Sequence, residues 1–175
     1  MPDTFYPIGS VLPYAGPITA DSEEQIINAG FIPCDGRGLP KSSVGYAALL
    51  TVIGSMYGGN NTTFYVPDYR GMFLRGVDAG TGRDPDTATR GFPRPDLPVG
   101  KQGNSGDNVG SLQSCNIVNH NHGYSMHTGS HHCNRGSKIG PGVYTGDTSV
   151  QTSSSAGGSE ARPVNLYTNY VIRYA

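Results

Sequence analysis

Charge is scarce in this sequence, and so are aliphatic side chains. Charged residues make up 14% of the chain and apolar ones 35%, both below the ordinary globular share, which excludes a large self-sufficient core and long regular elements. A nucleic-acid binder carries a basic face and a polybasic membrane anchor carries a Lys/Arg cluster. The net charge here is −1, with Lys41, Lys101 and Lys138 scattered, so neither partner is expected. Nowhere is there an apolar run long enough to span a bilayer, and Met1 to Ser10 lacks the basic start and apolar stretch of a secretory signal. The expectation is a protein made as a soluble cytoplasmic chain, without membrane insertion. Cys34, Cys115 and Cys133 are odd in number and share no CxxC spacing, which disfavours a disulfide framework and leaves reduced, mostly structural thiols. No nucleophile elbow, phosphate loop or activated carboxylate pair is present, so no enzyme is expected.

Glycine, proline and tyrosine are what the chain has instead. The 26 glycines and 13 prolines punctuate nearly every stretch, yet 11 tyrosines and near-neutral charge do not match a disordered composition. An ordered, irregular α+β fold follows. Its small core is compatible with a loop-rich monomer, and better with a fold completed by partner chains.

Phe5 to Ala15 reads as a strand pair or extended arm broken by Pro7, Gly9 and Pro13. Asp21, with Glu24 three residues on, predicts a capped helix that places Ile26 and Ile27 inward and stops at Gly30. Phe31 to Asp35 reads as a short strand. Tyr46, Leu49, Leu50 and Ile53 stand at i, i+3, i+4 and i+7, which predicts an amphipathic helix ending at Gly54. Thr62 to Val66 and Met72 to Val77 are β-prone, the latter as a short apolar hairpin between Gly71 and Gly76 that packs on that helix. Asp68 and Arg70, two apart, are expected to form a structural ion pair. From Asp78 to Gly110 the texture turns to Gly, Pro, Asp, Thr and Arg, which sets a domain boundary near Gly91. The last residues, Leu166 to Tyr174, alternate as in a strand with one buried face.

Three groups of residues resemble the phage tail-collar family. The first runs from Gly9-Ser10-Val11 to Ala15, then Pro33-Cys34-Asp35-Gly36 and Tyr46-Ala47-Ala48-Leu49. The second is Ile53-Gly54, Tyr57-Gly58, Thr62-Thr63-Phe64, Pro67-Asp68, Arg70-Gly71 and Arg75-Gly76-Val77-Asp78. The third, Val109-Gly110-Ser111, Gln113, a His-x-His, Gly158-Ser159-Glu160, Arg162-Pro163 and Asn165, resembles the C-terminal head of phage fibre proteins. The resemblance implies a collar domain over residues 1–90 and an intertwined trimeric β and coil head over 91–175. It also implies a homotrimer, joined to tail or baseplate proteins, that attaches a virus tail or a phage-like contractile injection particle to a cell-surface glycan or other receptor. Glu160 and Arg162 then lock the last strand.

His120 and His122 are the sharpest chemical feature. Two apart on a strand, they point to one face, where neutral imidazoles can converge on a metal. One chain supplies too few ligands, whereas three chains around an axis supply six nitrogens, an octahedral set suited to iron more than to structural zinc. The resemblance implies the same use of the motif. A competing reading builds a zinc site within one chain from His127, His131, His132 and Cys133 with His120 and His122, which would suit a metal-dependent hydrolase. His120-Asn121-His122 also spells a nuclease motif, but Gly123, Gly129, Gly136 and Gly140 deny it the required helix. Asp78, Asp84 and Asp86 stand among glycines as calcium ligands can, without EF-hand spacing, and a plain polar loop is the simpler reading. Tyr124, His127, Asn134 and Tyr144, in loops rich in Ser, Thr and Gly, form the candidate receptor-binding surface, since tyrosine supplies rigid contact area and small polar residues supply hydrogen bonds. A purely structural collar or baseplate role is the remaining alternative.

Overall fold

The computed structural model describes residues 6–114, 123–127, 148–152 and 165–175. It divides into two compact units. The larger comprises Met1–Ser114 with Asn165–Ala175, and the smaller Cys115–Val164. Because the last strand belongs to the larger unit, the smaller one is an insertion in sequence between two parts of the larger.

The larger unit is built on three short strands whose centre is the C-terminus of the chain. β1 (Val11–Tyr14), β2 (Phe31–Pro33) and β7 (Asn169–Arg173) form a sheet in the order β1-β7-β2, both pairings antiparallel. Ile172 lies opposite Val11 on one side and Ile32 on the other. Val171 and Ile172 are both buried, so this strand is covered on both faces, although its alternation predicts one. The Thr168 hydroxyl donates to the Tyr14 carbonyl at 3.1 Å across 154 residues of sequence.

Between β1 and β2 lies helix α1, Ala20–Asn28. Its cap is Thr19, two residues before the expected Asp21. The Thr19 side chain accepts from the Ser22 amide at 3.3 Å and the Ser22 hydroxyl accepts from the Thr19 amide at 2.8 Å, a reciprocal capping box. Asp21 falls instead inside the first turn, where its charge complements the helix dipole. Ile26 is buried and Ile27 half-buried. After β2, β3 (Gly38–Pro40) pairs antiparallel with β4 (Thr63–Tyr65). Between them lie a 3-10 turn, Val44–Tyr46, and helix α2, Ala47–Ile53. The i, i+3, i+4 pattern acts as read: Leu49 and Ile53 are buried, Tyr46 and Leu50 pack beside them, and Gly54 ends the helix at φ 51°. The core gathers these with Ile32, Cys34, Leu39, Tyr57, Phe64, Val66 and Ile172.

Met72 to Val77 forms no hairpin and does not pack on α2. The partner of β4 is β3, which leaves no strand of this chain, among the described residues, for the run that follows Pro67. Residues 71 to 77 are all exposed, Phe73 by 63%.

The polar stretch beyond Asp78 is part of the larger unit. Gly91 and Leu112 exchange backbone hydrogen bonds of 2.7 and 2.9 Å, and the Asn104 amide donates to the Met56 carbonyl at 2.9 Å. Two glycines let this stretch approach the turn that follows α2. A Cβ on Gly103 would lie 2.6 Å from the Met56 carbonyl oxygen, and one on Gly110 2.7 Å from it, with φ at 96° and 89°. The composition change near Gly91 therefore falls inside a compact unit.

In the smaller unit, β5 (Gly123–His127) pairs antiparallel with β6 (Thr148–Thr152), with Tyr124 opposite Gln151 and His127 opposite Thr148.

Candidate functional site

Two Asp-x-Arg pairs organise the exposed rim of the larger unit. Asp68 follows Pro67 at the end of the β4 strand, and Arg70 curls back on it, Nε to Oδ1 at 2.8 Å and Nη2 to Oδ2 at 2.6 Å. The Arg70 Nη2 also donates to the Asp35 carbonyl at 3.0 Å. Asp35 in turn binds Arg37 through Nε at 2.9 and 3.0 Å and Nη2 at 2.6 Å, and Arg37 reaches Glu23 on α1. One line of charge thus ties α1, the end of β2 and the Pro67 to Gly71 segment together. Hydrogen bonding from Arg70 holds the Asp68 carboxyl below its usual range. Burial pushes Asp35 upward, but the bonds and charge of Arg37 outweigh it and hold that carboxyl low as well. These carboxylates stay ionised and paired, as a scaffold requires and a general acid does not.

Under this rim sits a chain of tyrosines. Tyr57 and Tyr69 share a hydroxyl–hydroxyl bond of 2.9 Å, and Tyr69 meets Tyr170 edge-on with centroids 5.8 Å apart. The adjoining open cleft, about 360 Å³, is bounded by Gly16, Pro33, Tyr69, Arg70, Tyr167 and Tyr170, with Cys34 at its wall. Burial, then the nearby Asp35 and Asp68 charges, push the Cys34 thiol up to about 12. A thiolate is therefore not available there near neutral pH.

A second polar network holds the stretch that carries Asp78, Asp84 and Asp86. Asp78 accepts amide hydrogens from Gly82, Arg83 and Asp84 at 2.8 to 2.9 Å and the Thr81 hydroxyl at 2.9 Å. Asp107 accepts from the amides of Asp78, Ala79 and Gly80 at 3.1 to 3.2 Å, which braces Ala79 at φ 50°, a conformation alanine rarely adopts. Asp84 is buried, with Arg90 at 3.3 Å and Arg75 at 3.6 Å. Arg90 also donates to the Ser111 hydroxyl and carbonyl at 2.8 and 3.1 Å and to Gln113 at 3.1 Å. Carboxylates turned toward N–H donors are organised for loop structure and not for calcium, which needs them turned to the ion. Among the described residues no group of three or more His, Cys, Asp or Glu is placed to hold a metal.

This network has a measurable pH signature. The amide of Asp84 foremost, then those of Gly82 and Arg83 with the Thr81 hydroxyl, hold the Asp78 carboxyl at about 2, against 3.8 for an unperturbed Asp. A folded pKa below the unfolded one contributes stability that is complete above about 3.8 and is lost as pH falls through about 2. The amide resonances of Gly82, Arg83 and Asp84 should therefore titrate together near pH 2. A common midpoint near 3.8 would refute the geometry.

Of the residues singled out from the sequence, Asp68 and Arg70 lie together on the rim. Tyr124 and His127 belong to β5. His120, His122, His131, His132, Cys133, Asn134, Tyr144, Glu160 and Arg162 lie outside the described residues. Sequence reading missed the Glu23–Arg37–Asp35 line and the Asp84–Arg90 and Asp107 anchors. The first had a signal, since Asp35-Gly36-Arg37 repeats the Asp-x-Arg spacing of Asp68-Tyr69-Arg70.

The described residues of the larger unit form a small α+β scaffold whose ion pairs tie its own loops together. Residues 9–74 match the family model of the phage tail collar domain. Protein RhiB of Rhizobium leguminosarum bv. viciae is similar over nearly the whole chain, 34% identical across 199 aligned positions, covering 96% of this chain and 86% of that protein. The chain belongs to the phage tail collar domain family, a family of tail-fibre-like structural proteins. Among the described residues no helix is long and apolar enough to cross a membrane.

Proposed function

We propose that the protein is a homotrimeric tail-fibre or collar-type adhesin that attaches a phage or phage-like contractile injection particle to a cell surface. The observation that carries this reading is the return of the C-terminal strand into the collar sheet. Ser114 and Asn165 both belong to the collar unit, so the 50 residues Cys115–Val164 form a long excursion held at both ends by a rigid scaffold. Such an arrangement suits recognition, because binding residues work best on loops fixed by a rigid frame. Tail or baseplate proteins are the partners of the collar unit, and a surface glycan or other receptor is the partner of Tyr124, His127, Asn134 and Tyr144.

In the trimer, His120 and His122 of three chains hold one metal ion on the axis, with iron the best match to six imidazole nitrogens and zinc or another divalent ion as substitutes. Native mass spectrometry with metal analysis should find three chains and one metal. Replacing both histidines with alanine should remove the metal and lower the temperature at which the trimer dissociates. One metal per chain, or a metal-free trimer after careful purification, would count against this site. The ion-paired rim, spent on scaffold contacts, favours as second reading a purely structural collar or baseplate component. Binding to a broad glycan array separates the two, since persistent failure there favours the structural role.

A further inference from the structure

The inserted residues 115–164 join the larger unit at two places, and the larger unit secures the two differently. On the return side the chain runs into β7, the central strand of its sheet. Just before and within that strand, the Thr168 hydroxyl donates to the Tyr14 carbonyl and the Asn169 carboxamide to the Gly16 carbonyl, at 3.1 and 2.8 Å. A strand paired along both edges opens only with the sheet itself. The outgoing side has no strand. Leu112 is joined to Gly91 by one isolated bridge of two backbone bonds, and Gln113 and Ser114 beyond it are exposed. Two bonds of this kind at a surface are marginal by themselves.

Arg90, next to Gly91, supplies what the bridge lacks. Its side chain is 15% exposed, and all three guanidinium nitrogens donate. Nε reaches the Ser111 hydroxyl at 2.8 Å and Nη2 the Ser111 carbonyl at 3.1 Å, while Nη1 reaches the Gln113 Oε1 at 3.1 Å and the Asp84 carboxylate at 3.3 Å. Gln113 donates in turn to the Asp86 carboxylate at 3.3 Å, which closes a ring of bonds between the outgoing segment and residues 84–90. Asp84 makes this anchor firm. It is 6% exposed, and a buried carboxylate stripped of its cation is strongly destabilised, so Arg90 does not leave it for water. Arg75, half exposed and at 3.6 Å, is the weaker partner. Shape matters here as much as charge, because a guanidinium fork serves several acceptors at once, where an ammonium acts as a point charge.

We infer that Arg90 is a clasp that fixes the point where the chain leaves the larger unit and keeps that unit from opening at its outgoing end. The contacts it guards lie just behind it, where the Asn104 amide binds the Met56 carbonyl and Gly110 packs beside the same group. With the clasp closed, the insertion departs from a fixed point at Ser111–Gln113 and returns to one at Thr168–Asn169. The role is independent of what the inserted residues bind.

Amide hydrogen exchange on the full-length protein tests the clasp in two variants. Arg90→Lys keeps a positive charge for Asp84 but cannot serve Ser111 and Gln113 as well. In it the amides of Gly91 and Leu112 should exchange at least roughly tenfold faster than in the wild type. The amides of Gly82 and Arg83, bound to Asp78, and those of Cys34 and Arg173 in the sheet should keep their wild-type rates. Wild-type rates at Gly91 and Leu112 would mean that Arg90 only neutralises Asp84, and overturn the clasp. Equal acceleration at all six amides would overturn it too, since Arg90 would then support the whole fold alike. Gln113→Ala, at an exposed position, decides the matter if the lysine variant fails to fold. Faster exchange confined to Gly91 and Leu112 supports the clasp, and an unchanged Leu112 amide overturns it.

Discussion

Replacing Ile172 with aspartate is expected to abolish cooperative folding of the collar unit at room temperature. Ile172 is 1% exposed and stands between two strands at once, opposite Val11 on β1 and Ile32 on β2. A carboxylate there would stand in the apolar cluster of Ile32, Leu39, Leu49 and Phe64, which has no cation among its members. Burying it unpaired costs several kcal/mol after relaxation, of the order of the ~5–15 kcal/mol that stabilises a whole domain. The strand offers no route of retreat, because β1 and β2 touch only through β7. Leu166→Asp provides the control from the same terminal segment: at 93% exposure it should change stability by less than about 0.5 kcal/mol. Urea unfolding followed by far-UV circular dichroism separates them. An Ile172→Asp protein that melts cooperatively at the wild-type midpoint would show that the C-terminal strand is not the keystone of the sheet.

Periodicity made some of this fold legible and left the rest dark for definite reasons. Helix α2 could be read because Tyr46, Leu49, Leu50 and Ile53 repeat on one face, and burial follows that face. The existence of α1 was legible but its start was not. Thr19 and Ser22 close a capping box with each other, and the acidic pair Asp21 and Glu24 imitated that pattern two residues later. That the last strand is apolar was visible, whereas its partners lie about 140 to 160 residues away and no local signal names them. The Asp78 to Gly110 stretch looked structureless because its order comes from Asp78, Asp84 and Asp107 accepting N–H groups, and such bonds leave no period in a sequence. Of the candidate site, only the Asp68–Arg70 pair falls where side chains are described. The histidine reading rests on the spacing of His120 and His122 and on the family pattern.

Phe64 and Phe73 stand nine residues apart in one stretch, and their truncation should differ greatly in cost. Phe64 is completely buried on β4, opposite Leu39 and within reach of the α2 residues Leu49 and Ile53. Its replacement by alanine removes the apolar contacts and leaves a cavity, at a cost of about 3–5 kcal/mol. Because the site lies within one chain, that loss should appear equally in urea melts at low and high protein concentration. Phe73, 63% exposed in the irregular segment after Gly71, touches too little of its own chain to matter for the fold. Phe73→Ala should leave stability within about 0.5 kcal/mol of wild type at every protein concentration. Equal losses from the two variants at every concentration would mean that Phe73 belongs to the core of its own chain. The β-prone letters of Met72 to Val77 thus coincide with an exposed run, whereas those of Thr63 to Tyr65 coincide with a strand centred on a fully buried side chain.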